Sequence, residues 1–262
     1  MTRTPSIQVL LSCMHQTDHS ILDRMNIQTD AIVVNQCDRN EIENFEYKGH
    51  KILWMSLKEK GVSLSRNTAL MRSTADILVI ADDDVRYDDG YSTRIVEKFK
   101  QYPQADILIW NLKRSYETLS VDQKEQKCHF FNVLAYGTAR LVLKRKSIMK
   151  HNICFHPLLG PGTQYSHGED SAFLIDSLKN HLTVWKIKDT IGELERRKKS
   201  TWFDGYTKIY WFNKGVAFRY LFGAWGYPLG IAIVCKNYNQ TKEIGIWNAL
   251  KSILQGVHHG LS

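Results

Sequence analysis

The chain is short of the residues that mark disulfide-stapled or zinc-bound domains. Its five cysteines, Cys13, Cys37, Cys128, Cys154 and Cys235, are odd in number and widely spread. No two stand at the close spacing of a zinc site or a redox pair, so they read as reduced thiols of a cytosolic protein. The opening residues, MTRTPSIQVLLSCMHQTD, hold one brief apolar stretch interrupted by Gln8, which reads as a strand rather than an export signal. There is no internal repeat and no low-complexity linker. An apolar fraction of 43% excludes a disordered chain, and 262 residues suffice for one large α/β domain with a small appendage. The first 185 residues also lack a charge excess, with 23 Lys/Arg against 22 Asp/Glu. The formal charge of +8 arises from Lys186 onward, where 12 basic residues face 5 acidic ones. Any anionic surface, nucleic acid or acidic lipid, is therefore expected to meet the tail.

What is present is an alternation of short apolar runs with helix-like stretches. Strands are expected at Ile7–Leu11, Ala31–Val34, Ile52–Ser56, Ile77–Ala81 and Ala105–Trp110. Helices are expected at Asp18–Met25, Ser63–Ser73 and Tyr91–Gln101. This rhythm predicts a mostly parallel central sheet with helices on both faces. Beyond Trp110 the pattern loosens. Ala139–Lys144 suits a strand or a helix start, and Leu158–His167 is a Gly/Pro loop. Phe173, Leu174 and Leu178 then share one helical face, and Leu182–Ile187 is a late strand.

Three constellations carry chemistry. In ILVIADDDV, Asp82, Asp83 and Asp84 end an apolar strand, and ligands of open α/β sheets bind beyond such ends. Adjacent carboxylates repel one another, and a cation relieves them; oxygen-only donors favour Mg²⁺ or Mn²⁺. An acidic loop that merely caps a helix has the same composition. In GVSLSRNTAL, Arg66 and Asn67 come early in a helix, where the guanidinium fork suits a phosphate or a base. The third is Gly168-Glu169-Asp170 after the glycine-rich loop. It suits either a general base or carboxylates drawn to a helix N-terminus. His15, His129, His156 and His167 are scattered and are not read as metal ligands.

In this order, Ser65-Arg66-Asn67, the strand ending in Asp82-Asp83-Asp84, and Gly168-Glu169-Asp170 resemble the family 2 glycosyltransferases of the GT-A fold. Ser200-Thr201-Trp202 resembles a segment of bacterial surface-polysaccharide members, and the likeness spans roughly residues 5–215. The resemblance implies an inverting transfer from a nucleotide diphosphate-sugar, with uridine as the expected nucleoside, to a hydroxyl of a saccharide acceptor. It assigns the donor to Ser12, Asn35, Gln36, Asp38, Arg66, Asn67, Asp82 and Asp83, and Mn²⁺ or Mg²⁺ to Asp84 with Asp82. Asp170 or Glu169 would be the base, and Glu169 and Trp202 would meet the acceptor. Two segments depart from the family pattern: Ser12-Cys13-Met14-His15 after the first strand, and Asn35-Gln36-Cys37-Asp38 after the second.

Residues 202–227 interleave eleven aromatic residues with Lys208, Lys214 and Arg219. The apolar stretch Tyr220–Cys235 is short for a membrane span, which needs about 20 residues. It suits helices lying in an anionic membrane surface. Packing of the last helices would use the same aromatics, and nothing else resembles a nucleic-acid-binding module. The expected organisation is a GT-A catalytic domain over residues 1–200 and a helical, aromatic and basic appendage over 201–262. The expected location is the cytoplasm, peripheral on the inner face of a bacterial membrane, with a lipid-linked acceptor. Two other classes use these residues: a catalytically inactive sugar-nucleotide scaffold, and a phosphate hydrolase with Asp82 as nucleophile. Hydrolases of that type carry their DxD on the first strand, whereas three strands precede it here.

Overall fold

The computed structural model describes residues 3–114, 124–130, 132–195 and 203–261. Along the chain run β1 (Ile7–Met14), α1 (Ile21–Arg24), β2 (Asp30–Gln36), β3 (Glu41–Tyr47), β4 (His50–Leu57) and α2 (Val62–Arg72). Then come β5 (Ile77–Asp82), β6 (Val85–Tyr87), α3 (Tyr91–Gln101), β7 (Ile107–Arg114), β8 (Gln126–Lys127), β9 (Leu141–Lys144) and α4 (Arg145–Lys150). The series ends with α5 (Glu169–Lys179), β10 (Val184–Leu194), α6 (Lys208–Phe222), α7 (Gly226–Lys236) and α8 (Ile246–His259). The chain forms two compact units. Within the described residues the first comprises 3–60, 64–154 and 176–195, and the second 61–63, 155–175 and 203–261.

The first unit is built on a ten-stranded sheet of order β3-β4-β2-β1-β5-β9-β7-β10-β6, with β8 paired to β10. Its heart, β4-β2-β1-β5, is parallel. β1, β2 and β5 are nearly continuous apolar runs because both of their faces are covered. Trp54, Tyr87, Tyr91 and Trp110 are fully buried in the core around them. The α/β architecture expected from the alternation is therefore present, and α3 has the expected bounds.

Local differences have local causes. The expected helix Asp18–Met25 shortens to Ile21–Arg24. Asp18 Oδ1 accepts the Ser20 N–H at 2.9 Å, which holds a turn, and Asn26 adopts a positive φ of 53°. β3 was not expected at all: EIENFEY alternates exposed and half-buried residues, as an edge strand does. It returns antiparallel onto β4 through the Lys48-Gly49 turn. Over 138–144 a short 3-10 turn leads into β9, which runs antiparallel to both β5 and β7. The late strand extends to Leu194.

In the second unit α6, α7 and α8 enclose Trp211, Val234, Ala249 and Ile253. Two glycines let α6 and α8 touch backbone to backbone. A Cβ on Gly215 would lie 2.1 Å from the Ile253 carbonyl oxygen, and one on Gly256 would lie 2.0 Å from that of Phe212. Gly215→Ala is expected to lower stability by about 1–3 kcal/mol, the usual cost of overpacking a rigid contact. Urea denaturation followed by circular dichroism reads it, and an unchanged midpoint would show that the helices separate without cost.

Candidate active site

The carboxyl ends of β1, β2 and β5 bring together residues far apart in sequence. Ser12 stands opposite Asp82 on one side and Val34 on the other, so Ser12, Asp82 and the Asn35–Gln36 pair line one edge of the sheet. Arg66 comes to this edge from α2. It is 4% exposed, and one terminal nitrogen donates to both Asp82 oxygens, at 2.8 and 3.1 Å. Ser65 Oγ donates to Ser12 Oγ at 3.0 Å and ties the same helix to β1. A buried arginine needs a counter-charge, and here it is a residue of the acidic run itself.

Asp84 has a different environment. Burial pushes its carboxyl up to about 6, with further contributions from the Asp82 and Glu195 charges. Glu195 is brought there because β6 and β10 pair antiparallel, and its N–H donates to the Asp84 carbonyl at 2.8 Å. A carboxylate that burial and then negative neighbours disfavour is stabilised by a cation, and its hard oxygen donors suit Mg²⁺ or Mn²⁺. Among the described residues no three His, Cys, Asp or Glu side chains cluster as metal ligands. A cation here would thus rest on Asp84 and Asp82 together with oxygens of a bound diphosphate.

The other predicted donor residues divide. Asn35 is wholly buried; its amide accepts the Gln16 N–H at 3.0 Å and donates to the Gln16 carbonyl at 2.9 Å. It therefore shapes the loop after β1. Gln36 is buried and its carbonyl accepts the His15 N–H. Asp38 lies exposed past the strand, while Asn67 and Asp83 are half-buried. A hollow of about 430 Å³ touching Ser6, Asp30, His50 and Glu97 lies at the opposite, amino end of these strands and includes none of the predicted residues.

The glycine-rich loop of the second unit is held by its own backbone. Ser63 Oγ donates to the Leu159 carbonyl at 2.6 Å, and the Val62 N–H to that of Pro161 at 2.9 Å. Gly160 has φ 105°, and a Cβ there would come within 3.0 Å of the Glu169 side chain. Glu169 is accordingly 8% exposed, whereas Asp170 in the same first turn of α5 is half-exposed. Just before them, His167 meets the Tyr210 ring edge-on at 4.6 Å, and Ser166 Oγ lies 3.0 Å from both its Nδ1 and Asn213 Nδ2. Burial, aided by the Lys214 charge, drops the His167 imidazole to about 4 and keeps it neutral. Ser166, His167 and Tyr210 border a hollow of about 230 Å³ together with Phe203, Asp204 and Thr207. In the sequence His167 is an isolated histidine and Tyr210 one of the tail aromatics; only the fold joins residues 43 positions apart. Trp202 and the Ser200–Trp202 segment lie outside the described residues.

The model of glycosyl transferase family 2 matches residues 11–156, more than half of the chain, and includes Ser12, Arg66 and Asp82–Asp84. The chain belongs to that family of glycosyltransferases. Among solved structures it is similar to S. aureus TarS 1-349 in complex with UDP-GlcNAc, with a TM-score of 0.61 and 12% identity. The same TarS fragment in complex with UDP aligns with a TM-score of 0.63 and 11% identity. Each alignment covers 96% of this chain and 81% of the other. At such identity the likeness shows the fold, which is the GT-A type expected from the sequence. No curated protein matches the sequence.

Proposed function

We propose that the protein is an inverting transferase that takes a sugar from a uridine diphosphate donor and delivers it to a saccharide hydroxyl in bacterial surface-polysaccharide synthesis. The observation that carries this reading is the Arg66–Asp82–Asp84 arrangement at the carboxyl end of the parallel strands. The TarS structures with UDP-GlcNAc and UDP support the choice of donor class. Arg66 fixes the Asp82 carboxylate so that it can receive donor hydroxyls, and Ser12 and Asn35 set the floor and the loop beside it. Asp84, with Asp82, would hold Mn²⁺ or Mg²⁺, which supplies charge neutralisation for the departing diphosphate.

Asp170 takes the proton from the acceptor hydroxyl as it attacks the anomeric carbon. Its exposure suits proton transfer, while the buried Glu169 braces the Gly160 loop. The carbon–oxygen bond to the acceptor forms as the bond to the diphosphate breaks. One displacement with one base inverts the centre, so an α-linked donor yields a β-linkage. The hollow beside His167 is comparable to a single sugar ring, and its aromatic edges and polar rim suit the terminal residue of the acceptor. The acceptor is proposed to be lipid-linked and met at the cytoplasmic face of the membrane.

Thermal-shift titration with UDP, GDP, CDP and dTDP, each with and without Mn²⁺, tests the donor assignment. A metal-dependent rise with UDP is expected, at least several degrees at saturating ligand. A rise with another nucleotide alone would replace uridine in the reading, and no rise with any would remove its basis.

A further inference from the structure

The outward face of α7 is apolar up to Cys235. Its inward positions, Gly226, Gly230 and Val234, are buried: Gly226 comes close to the Phe218 backbone and Val257, and Gly230 faces Ile253. The positions between them point to solvent and are Pro228, Ile231, Ala232 and Cys235, led by Trp225 just before the helix. Trp225 is 73% exposed and Ile231 44%. Lys236, the last residue of α7, is its one charged side chain; before it the helix is apolar and covered on one side only, which calls for an apolar partner on the other. The imbalance is regional. Of nine large exposed apolar side chains among the described residues, six lie between Phe203 and Trp247.

Charge selects the partner. Residues 208–261 carry Lys208, Lys214, Arg219, Lys236, Lys242 and Lys251 against the single acid Glu243. Five of these six cations, all but Lys214, are exposed. Apolar and aromatic side chains amid unopposed lysines match the boundary between lipid headgroups and acyl chains. By length and composition the run Lys208–Lys236 would suffice to cross a bilayer. It does not run straight, however: the chain turns at Gly223–Trp225, and α7 doubles back onto α6 and α8. Eleven residues of α7 reach only about 16 Å, half of a hydrocarbon core of about 30 Å.

We infer that the Trp225–Cys235 face of α7 lies in the surface of an anionic lipid bilayer, flanked by Arg219, Lys236 and Lys242. This deepens the membrane placement proposed above by naming the surface that meets the lipid, and it does not depend on the donor assignment. The test is co-sedimentation of the full chain with vesicles of phosphatidylcholine alone and with a third phosphatidylglycerol. The wild type is expected to pellet with the anionic vesicles, less so in high salt, and little with the neutral ones. Trp225→Ser with Ile231→Ser should cut partitioning at least about tenfold. Lys236→Glu with Lys242→Glu should abolish the preference for anionic lipid. All four positions are exposed, so the variants should keep the wild-type circular dichroism and nucleotide response. Equal pelleting by the α7 variant, or no pelleting of the wild type, would overturn the inference. So would lipid-free self-association that the α7 variant abolishes, since the face would then receive a second copy. Vesicle binding without any nucleotide response would instead leave this inference standing and remove the transferase reading.

Discussion

Asp84→Asn should reduce turnover by about 10²–10³-fold or more, the scale seen when one preorganised electrostatic stabiliser is lost. It should also erase the Mn²⁺-dependent part of the nucleotide thermal shift. The same substitution should stabilise the metal-free protein at neutral pH. Folded Asp84 titrates near 6, above its ordinary 3.8. Between those values the folded protein retains a proton that the unfolded chain has released. Stability of the metal-free form therefore falls as pH rises from about 4 to about 6, and stays at the lower level above. Asparagine removes that loss, so the variant's higher melting temperature should be fully present above pH 6 and vanish near pH 4. Activity lost with stability gained is the signature of a strained functional site. Retained metal-dependent turnover would end the role assigned to Asp84, whatever the melting curves show.

Asp170→Asn should lower kcat by about 10²–10⁴-fold, as removal of a general base does, and leave the UDP thermal shift as in the wild type. Glu169→Gln should act differently. Its side chain packs beneath Gly160 rather than facing solvent, so the expected effect is a lower melting temperature with a smaller loss of kcat. Measuring both variants under single-turnover conditions separates the roles. The opposite pattern, with glutamine at 169 abolishing turnover and asparagine at 170 sparing it, would move the base one residue along the chain.

The central strands were legible because burial on both faces writes itself as an unbroken apolar run; ILVIAD is the plainest case. β3 was illegible for the converse reason, since an edge strand has charged residues and few apolar neighbours. In the site, the identities of Arg66 and Asp82 were readable but their union was not. Both were expected at the donor, and the fold closes sixteen residues into one ion pair between α2 and β5. Asn35 was expected at the donor, and in the fold its amide bonds the Gln16 backbone both ways. Side-chain amides carry no sequence mark of which neighbour they will satisfy. The close approach at Gly215 and Gly256 was equally silent, because a glycine in a helix signals cost and says nothing of the helix it touches.

Apart from residues 61–63, the second unit draws on two stretches of chain separated by the late part of the sheet unit. The loop carrying Ser166 and His167 is held by Asn213 and Tyr210 of α6, and Tyr165 pairs its hydroxyl with His259 at the end of α8. On the proposed reading, acceptor preference is written jointly by both stretches. A chimera that borrows only the C-terminal helices from a relative would part each of these side chains from its partner. Exchange of specificity between family members would therefore require the 155–175 loop and the last three helices to be transplanted together, as one inherited set.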